Sequence, residues 1–417
     1  MMDPAPRPEG THSLRAVEAD PRRWTIIRVD VDALPAPHEK MGDAPTFFWV
    51  EVLRDAQVIG VIHCWSPDGT LPHATAEDLR MRFGTVVPAP RPEVDDGELP
   101  FISVVVPTVH RNSELLRRTV RALQASDYPR FEIVVVDNRP SDLEYPMPIF
   151  EDTHGLKIVA ESTPGISAAR NSGIASSLGS IVAFTDDDAM VDPDWLRAIG
   201  ETFAAHPEVD GVGGLVLPSE LETDAQLWFE EFFGGFNDSY TESILSIDMD
   251  TTVSPLFPYS PSTFGAGCNL AFRKDTLGRI GGFATVLGTG TPAKGGEDLA
   301  ACIETVLRGG CYAYVPRAVV RHTHRRTREE FLSQVYGYGV GLSAMLTYFI
   351  IEDPRRIKEI ARRLPAGLKR LRTSRGERLD LESSTLPRRA TLMQIAGMLW
   401  GPVALVRSGG LRVRRRA

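Results

Sequence analysis

The chain has 417 residues, 42% of them hydrophobic and 24% charged, with a formal net charge of -9. Those proportions describe an ordinary soluble globular protein, long enough for two or three domains and a large core. Its four cysteines, Cys64, Cys268, Cys302 and Cys311, form no C-x-x-C pair, which argues against a zinc site or a disulfide scaffold and for a reducing compartment.

The opening stretch MMDPAPRPEGTHSL has no apolar h-region, so no secretory signal is expected and residues 1–19 read as a disordered N-terminus. Residues 20–84 read as a small β-rich accessory domain. Trp24 to Val31 is strand-like, and FFWVEVL (47–53) and VIGVIHCW (58–65) flank the short turn Arg54-Asp55-Ala56-Gln57, which predicts a hairpin. The Pro-rich, acidic run ending at Pro100 predicts a linker over 85–100.

From Phe101 the pattern changes to apolar runs alternating with helical segments. ISVVVP (102–107), FEIVVVD (131–137) and SIVAF (180–184) are separated by SELLRRTVRALQAS and GISAARNSGIASSLG. Such runs suit a parallel sheet buried on both faces, so the expected class is α/β, with ligands at the carboxyl ends of the strands. Thr108, Asp137 and the triplet Asp186-Asp187-Asp188 all fall at such ends. Three carboxylates in a row, taken alone, fit a solvated acidic turn; beside two other polar strand ends they fit a shared crevice.

No GxGxxG and no GxxxxGK[ST] is present, which removes the usual dinucleotide and P-loop cradles. An EF-hand also fails, because counting from Asp186 the sixth residue is Val191 and the twelfth Arg197. Acids spaced i, i+2 at a strand end fit Mg²⁺ or Mn²⁺ bridging a nucleoside diphosphate.

Six blocks then occur in an order that resembles family 2 of the inverting glycosyltransferases, which have the GT-A fold: ISVVVPTVHR (102–111), FEIVVVDNRPSD (131–142), GISAARNSGIA (165–175), AFTDDD (183–188), GAGCNLAFRKDTLGRIGGF (265–283) and GGEDLA (295–300). The resemblance implies a Rossmann-like transferase domain over residues 101–330 and a nucleotide-sugar donor. It implies nucleotide contacts at Pro107, Thr108, Arg111, Asp137, Arg170, Asp186 and Asp187, with Asp137 accepting from the base. Arg170 has a structural alternative, pairing with Asp137 or Asp186. Asp188 would bind the metal directly and Asp186 would share metal and ribose, while Asp187 is expected to turn into a backbone hydrogen-bond network.

Within GGEDLA the resemblance implies Asp298 as the general base, in preference to Glu297; simple helix capping by Asp298 is the alternative. Of the histidines in VVRHTHRR, His322 is expected to complete the metal shell, with His324 left open, and Arg325 and Arg326 would face the leaving diphosphate. The aromatics Trp228, Phe229, Phe232 and Phe236 are candidates for the acceptor side or for core.

Residues 331–417 read as a helical, basic region; 351–417 alone holds 17 Lys/Arg against 6 Asp/Glu. Its apolar segments 334–351 and 392–406 fall short of a spanning helix and suit core helices or an interfacial segment at an anionic membrane. The expected acceptor is a carbohydrate, a lipid-linked or a small-molecule hydroxyl, and no nucleic-acid partner is expected. The expected location is cytoplasmic, with peripheral contact at the inner face of the membrane left open. A sugar-nucleotide nucleotidyltransferase and a non-catalytic nucleotide- or carbohydrate-binding protein are the rival readings. The first wants a Gly-rich loop that PTVHRN lacks, and the second has no need of Glu297-Asp298.

Overall fold

The computed structural model describes residues 24–36, 38–109, 113–139, 150, 154–236, 239–248, 255–260, 263–373 and 386–410. The expected disordered N-terminus and Arg111 lie outside the described residues.

The first unit is a three-stranded sheet, β1 (Trp24–Asp30), β2 (Thr46–Arg54) and β3 (Gln57–Ser66), followed by helix α1 (His73–Phe83). β2 and β3 form the hairpin expected from the alternating pattern, closed by Asp55 and Ala56 at φ 50 and 60. Positive φ at both loop residues is what a two-residue turn needs to follow the twist of its strands. β1 joins β2 in parallel. Helix α1 is an addition to the β-rich reading; its buried Leu79 joins the same core as Phe48, Val50 and Val52.

The second unit follows as β4 (Ile102–Thr108), α2 (Ser113–Gln124), β5 (Phe131–Asp137), β6 (Leu156–Ala160), α3 (Ile166–Ser176), β7 (Ile181–Phe184), β8 (Ala189–Val191), α4 (Trp195–Ala205) and β9 (Val209–Pro218). After these come α5 (Asp224–Phe233), β10 (Ser243–Leu245), β11 (Leu270–Arg273), α6 (Lys274–Ile280), α7 (Glu297–Leu307) and β12 (Cys311–His322). The sheet order is β10-β12-β9-β11-β7-β4-β5-β6, with β8 paired to the end of β12.

Alternate residues of β4 serve two cores, which is why its centre, Val104 to Val106, is a continuous apolar run. Val104 and Val106 face Leu116 and Val120 of α2, and Val105 faces α3, so closely that a Cβ at Gly173 would lie 2.3 Å from its side chain. Each such Val, Leu or Ile contributes roughly 1.5–3 kcal/mol by leaving water.

The sheet is mixed rather than parallel. β4 runs parallel to β5 and β7, but β11 is antiparallel to both β7 and β9. The chain reaches β11 from the far edge, after β10, and so enters between the two parallel halves in the opposite sense. β6 was absent from the sequence pattern because three of its five residues are exposed and none is buried. The Asp186–Asp188 triplet therefore follows the fourth strand of this sheet, not the third. The strand order reverses at β4, whose neighbours are β5 and β7, and a crevice opens at the carboxyl side of such a switch point.

The chain ends in helices α8 (Arg328–Glu352), α9 (Arg356–Thr373) and α10 (Arg389–Arg407). Thr327 and Glu330 cap α8 reciprocally. Among the described residues no helix is long and apolar enough to cross a membrane.

Candidate active site

The crevice at the ends of β4 and β7 opens into a cavity of about 1940 Å³, larger than the roughly 300–1,000 Å³ of a typical small-ligand pocket. Pro107, Thr108, Arg170, Asp186, Asp187, Asp188, Glu297, Asp298 and His322 all line it.

β8 explains how His322 meets the triplet. It pairs antiparallel with the end of β12, placing Ala189 opposite His322. Asp188 is thereby brought against the imidazole, with its Oδ1 3.4 Å from Nε2. Asp186, Asp188 and His322 offer ligand atoms within 4.8 Å of one another. Two carboxylates and an imidazole suit Mg²⁺ or Mn²⁺, and the buried Nδ1 of His322 has no hydrogen-bond partner. Burial pulls the His322 pKa down, but the Asp188 and Asp186 carboxylates outweigh it and lift the group above its ordinary value. Burial raises Asp188, yet its histidine neighbour leaves it below the usual carboxylate value; Asp186 is raised, by burial against Arg170.

The Asp187 Oδ2 accepts from the Thr108 hydroxyl at 2.5 Å, a side-chain tie between the ends of β4 and β7. Asp137 accepts from Arg139 through Nε at 2.7 Å and Nη2 at 2.5 Å. Asn138, which the sequence reading passed over, lines the cavity beside it; its amide donates to the carbonyls of Glu161 and Thr163, both at 2.8 Å, and its Oδ1 accepts from Gly165 N at the start of α3.

Arg170 is 1% exposed and bridges two parts of the site. It donates from Nη1 to Glu297 Oε1 at 2.7 Å and from Nη2 to the Gly267 carbonyl at 3.1 Å, and reaches Asp186 Oδ1 at 3.4 Å. Of the two structural alternatives it takes Asp186, and adds Glu297, a partner the sequence did not suggest. Burial and the neighbouring Asp298 charge raise the Glu297 pKa to about 7, against the opposing pull of Arg170.

Asp298 turns the other way, half-exposed in the cavity wall. Its Oδ2 accepts from Gly267 N at 3.0 Å and its Oδ1 from Leu299 N at 2.8 Å. It is not the helix cap: that position belongs to Gly296, at φ 87. Gly267 must lack a side chain, since a Cβ there would lie 2.8 Å from both Arg170 Nη2 and Asp298 Oδ2. A glycine three residues before β11 is what permits this close approach.

His324 leaves the strand end for α5, where Nε2 meets Glu230 Oε1 at 2.6 Å among Phe229 and Phe236. The aromatic segment divides: Trp228 packs on Phe331 of α8, whereas Phe229, Phe232 and Phe236 reach the cavity wall. Arg326 is held by Glu220 and Glu222. Arg325 is exposed on the cavity rim and has no ion pair among the described residues.

A switch-point crevice carrying an Asp-x-Asp pair at a strand end, with a histidine brought beside it, defines an α/β transferase domain of the GT-A kind. Residues 103–280 match the model of Glycosyl transferase family 2. The chain is similar to the glucosyl-dolichyl phosphate glucuronosyltransferase of Haloferax volcanii, 27% identical over 238 residues that cover 55% of this chain and 71% of that one. It is also similar to the pre-mycofactocin glycosyltransferase of Mycobacterium tuberculosis, 26% identical over 306 residues, 72% of this chain and 58% of the relative. A solved mannosyltransferase from Pyrobaculum calidifontis, in complex with GDP-Man and Mn²⁺, matches 81% of this chain and 93% of its own at 18% identity and a TM-score of 0.45.

Proposed function

We propose that the protein transfers a sugar from a nucleoside diphosphate to an acceptor hydroxyl with inversion, using Asp298 as general base. The observation that carries this reading is the division of labour in one cavity: Asp186, Asp188 and His322 cluster in one part of its wall and the half-exposed Asp298 stands in another. Asp298 is held in place by the Gly267 amide, while Glu297 is spent on Arg170.

In the reaction the acceptor oxygen forms a bond to the anomeric carbon and its proton passes to Asp298. The bond from that carbon to the diphosphate oxygen breaks, and the nucleoside diphosphate leaves with the electron pair. A single base opposite the leaving group produces inversion. Bound Mg²⁺ or Mn²⁺ would supply neutralising charge for the diphosphate, held by Asp186, Asp188 and His322. Arg325, exposed on the rim, is placed to add charge-assisted hydrogen bonds to the same group. Pro107, Thr108, Arg111, Asp137 and Arg170 are retained as the nucleotide side in this reading. Arg170 acts through the carboxylates that it bridges, and Asn138 is added to the set.

The transferase unit in this reading is residues 101–330, with 20–84 as accessory, 85–100 as linker and 331–417 as a helical extension. The acceptor is a carbohydrate, a lipid-linked or a small-molecule hydroxyl. The protein works on the cytoplasmic side, where its four cysteines, all unpaired, stay reduced.

The test is thermal stabilisation by a panel of nucleoside diphosphates with and without Mn²⁺, followed by product analysis with the matching sugar nucleotides. Metal-dependent stabilisation by one nucleotide, and loss of turnover but not of stabilisation in Asp298→Asn, are expected. No stabilisation by any nucleotide, with Asp188→Ala unchanged from the parent, would sink the proposal.

A further inference from the structure

Helix α10 is amphipathic in the wrong sense for water. A helix on a soluble surface buries its large apolar residues and exposes polar ones. Here the buried face is Ala390, Gly397, Gly401, Ala404 and Leu405, and the exposed face carries Leu392, Ile395, Leu399, Trp400, Val403 and Val406. Leu392 is 66% exposed and Leu399 77%. On a helix these six positions form one stripe, about 21 Å long at 1.5 Å per residue.

The orientation is fixed by packing that has no slack. A Cβ at Gly397 would lie 2.2 Å from the Tyr336 carbonyl, and one at Gly401 1.9 Å from Ser343 Oγ; on α8, a Cβ at Gly339 would lie 2.3 Å from the Gln394 carbonyl. Small residues spaced by four that let two helices touch backbone to backbone are the packing used where neighbours are lipid. α10 therefore cannot roll its large residues inward.

Charge indicates what covers the stripe. No Asp, Glu, Lys or Arg lies between Arg389 and Arg407, whereas exposed arginines stand at both ends, Arg388 and Arg389 at one and Arg407 at the other. The Arg407 guanidinium sits 4.9 Å from the centre of the Trp400 ring, an aromatic and cation pair suited to a headgroup layer. α9 carries seven Lys/Arg against one acid, and the sequence after α10, LRVRRRA, adds four arginines. Since no described helix can span a bilayer, the geometry is that of a helix lying in the interface plane. The same helix turns Gln394 and Met398 to the cavity that holds Asp298, so a surface seated on the stripe lies beside that cavity.

We propose that the exposed face of α10 seats the protein on an anionic lipid bilayer, lying in its interface, next to the open end of the cavity. The inference rests on the transferase reading only for its purpose, not for the binding itself.

The experiment is flotation of the full chain with phosphatidylcholine vesicles with and without phosphatidylglycerol. The expected result is binding to the phosphatidylglycerol vesicles, weakened by salt. The double variant Leu399→Glu/Val403→Glu should lower the bound fraction about tenfold or more, with an unchanged melting temperature and unchanged stabilisation by nucleoside diphosphate and Mn²⁺. Should that variant melt early, brominated acyl chains give the second measurement: they should quench tryptophan emission in the parent, and Trp400→Phe should abolish the quenching. Equal binding by the folded double variant, absence of binding by the parent, or absence of quenching would each overturn the proposal. A dimer that the double variant dissociates without lipid would overturn it in favour of a second copy. Vesicle binding without any nucleotide stabilisation would leave the seat standing and remove the transfer reading instead.

Discussion

The small N-terminal sheet is tied to the strand that carries His322 by one carboxylate, and removing its charge tests what the sheet is for. Glu51, in the middle of β2, is fully sealed from solvent. Its Oε1 accepts from Arg321 Nη1 at 2.7 Å, and Oε2 from Arg321 Nη2 at 2.8 Å and Arg28 Nε at 3.2 Å. Arg321 is the residue before His322 on β12 and is itself largely buried, with Asp192 at 3.4 Å as its second carboxylate. Glu51→Gln keeps the shape and removes the charge, leaving a desolvated guanidinium with one distant partner. Breaking a buried pair from one side costs about 3–5 kcal/mol. Asp192 retains part of the interaction, so the lower end, about 3 kcal/mol or roughly 6 °C, is expected. The assay is a double-mutant cycle with Arg321→Met, read by denaturant unfolding, which should return a coupling of about 2 kcal/mol because the double variant no longer buries an unpaired charge. Mn²⁺ affinity of Glu51→Gln should also fall, by about tenfold, if the pair sets where His322 stands. Additivity of the two single variants within about 0.5 kcal/mol, with Mn²⁺ binding unchanged, would refute the reasoning.

Asp188→Asn should lower Mn²⁺-dependent turnover by about a hundredfold or more, while Asp187→Asn, which loses a tie to Thr108, should spare more of it; steady-state rates at saturating donor decide the order. Because His322 is raised above its ordinary value, protons compete with metal further up the pH scale than for a free imidazole. Mn²⁺ affinity by calorimetry should therefore weaken as pH falls from about 8 to about 6, and His322→Gln should flatten that slope. Gly267→Ala would place a Cβ 2.8 Å from both Arg170 Nη2 and Asp298 Oδ2. It should cost about 1–3 kcal/mol in stability and lower kcat more than it raises the donor KM.

What could be read in advance followed burial symmetry. β4, β5 and β7 were legible because both faces are covered, which makes the middle of each a continuous apolar run. β6, open on one side, left no run to find, and the antiparallel entry of β11 depends on where a long connection travels, which no local pattern records. The site follows the same division. The strand-end rule placed Thr108 and the Asp186–Asp188 triplet at one crevice, but the Arg170–Glu297 pair joins residues 127 apart. The available hint was compositional: in GISAARNSGIA the neighbours of Arg170 are Ala, Ser, Gly and Asn, small enough for tight packing, and an arginine packed that tightly needs an acid.

That pairing also bears on which of two adjacent acids can act. Neighbours on a helix point about 100° apart, so at the start of α7 one carboxylate is buried and the other half-exposed. Glu297 takes the inward place, where burial and Asp298 raise it to about 7 and Arg170 occupies one of its oxygens. A group so enclosed stabilises the site by holding Arg170, whose other nitrogen reaches Asp186. Asp298 spends one oxygen on the Gly267 amide and the other on the Leu299 amide at the first turn of α7. A carboxylate half-exposed and fixed in orientation is what proton abstraction from an acceptor needs. Arg170→Met should therefore disturb both ends of the site at once, loosening Asp186 and releasing Glu297, although it removes neither the proposed base nor a proposed metal ligand.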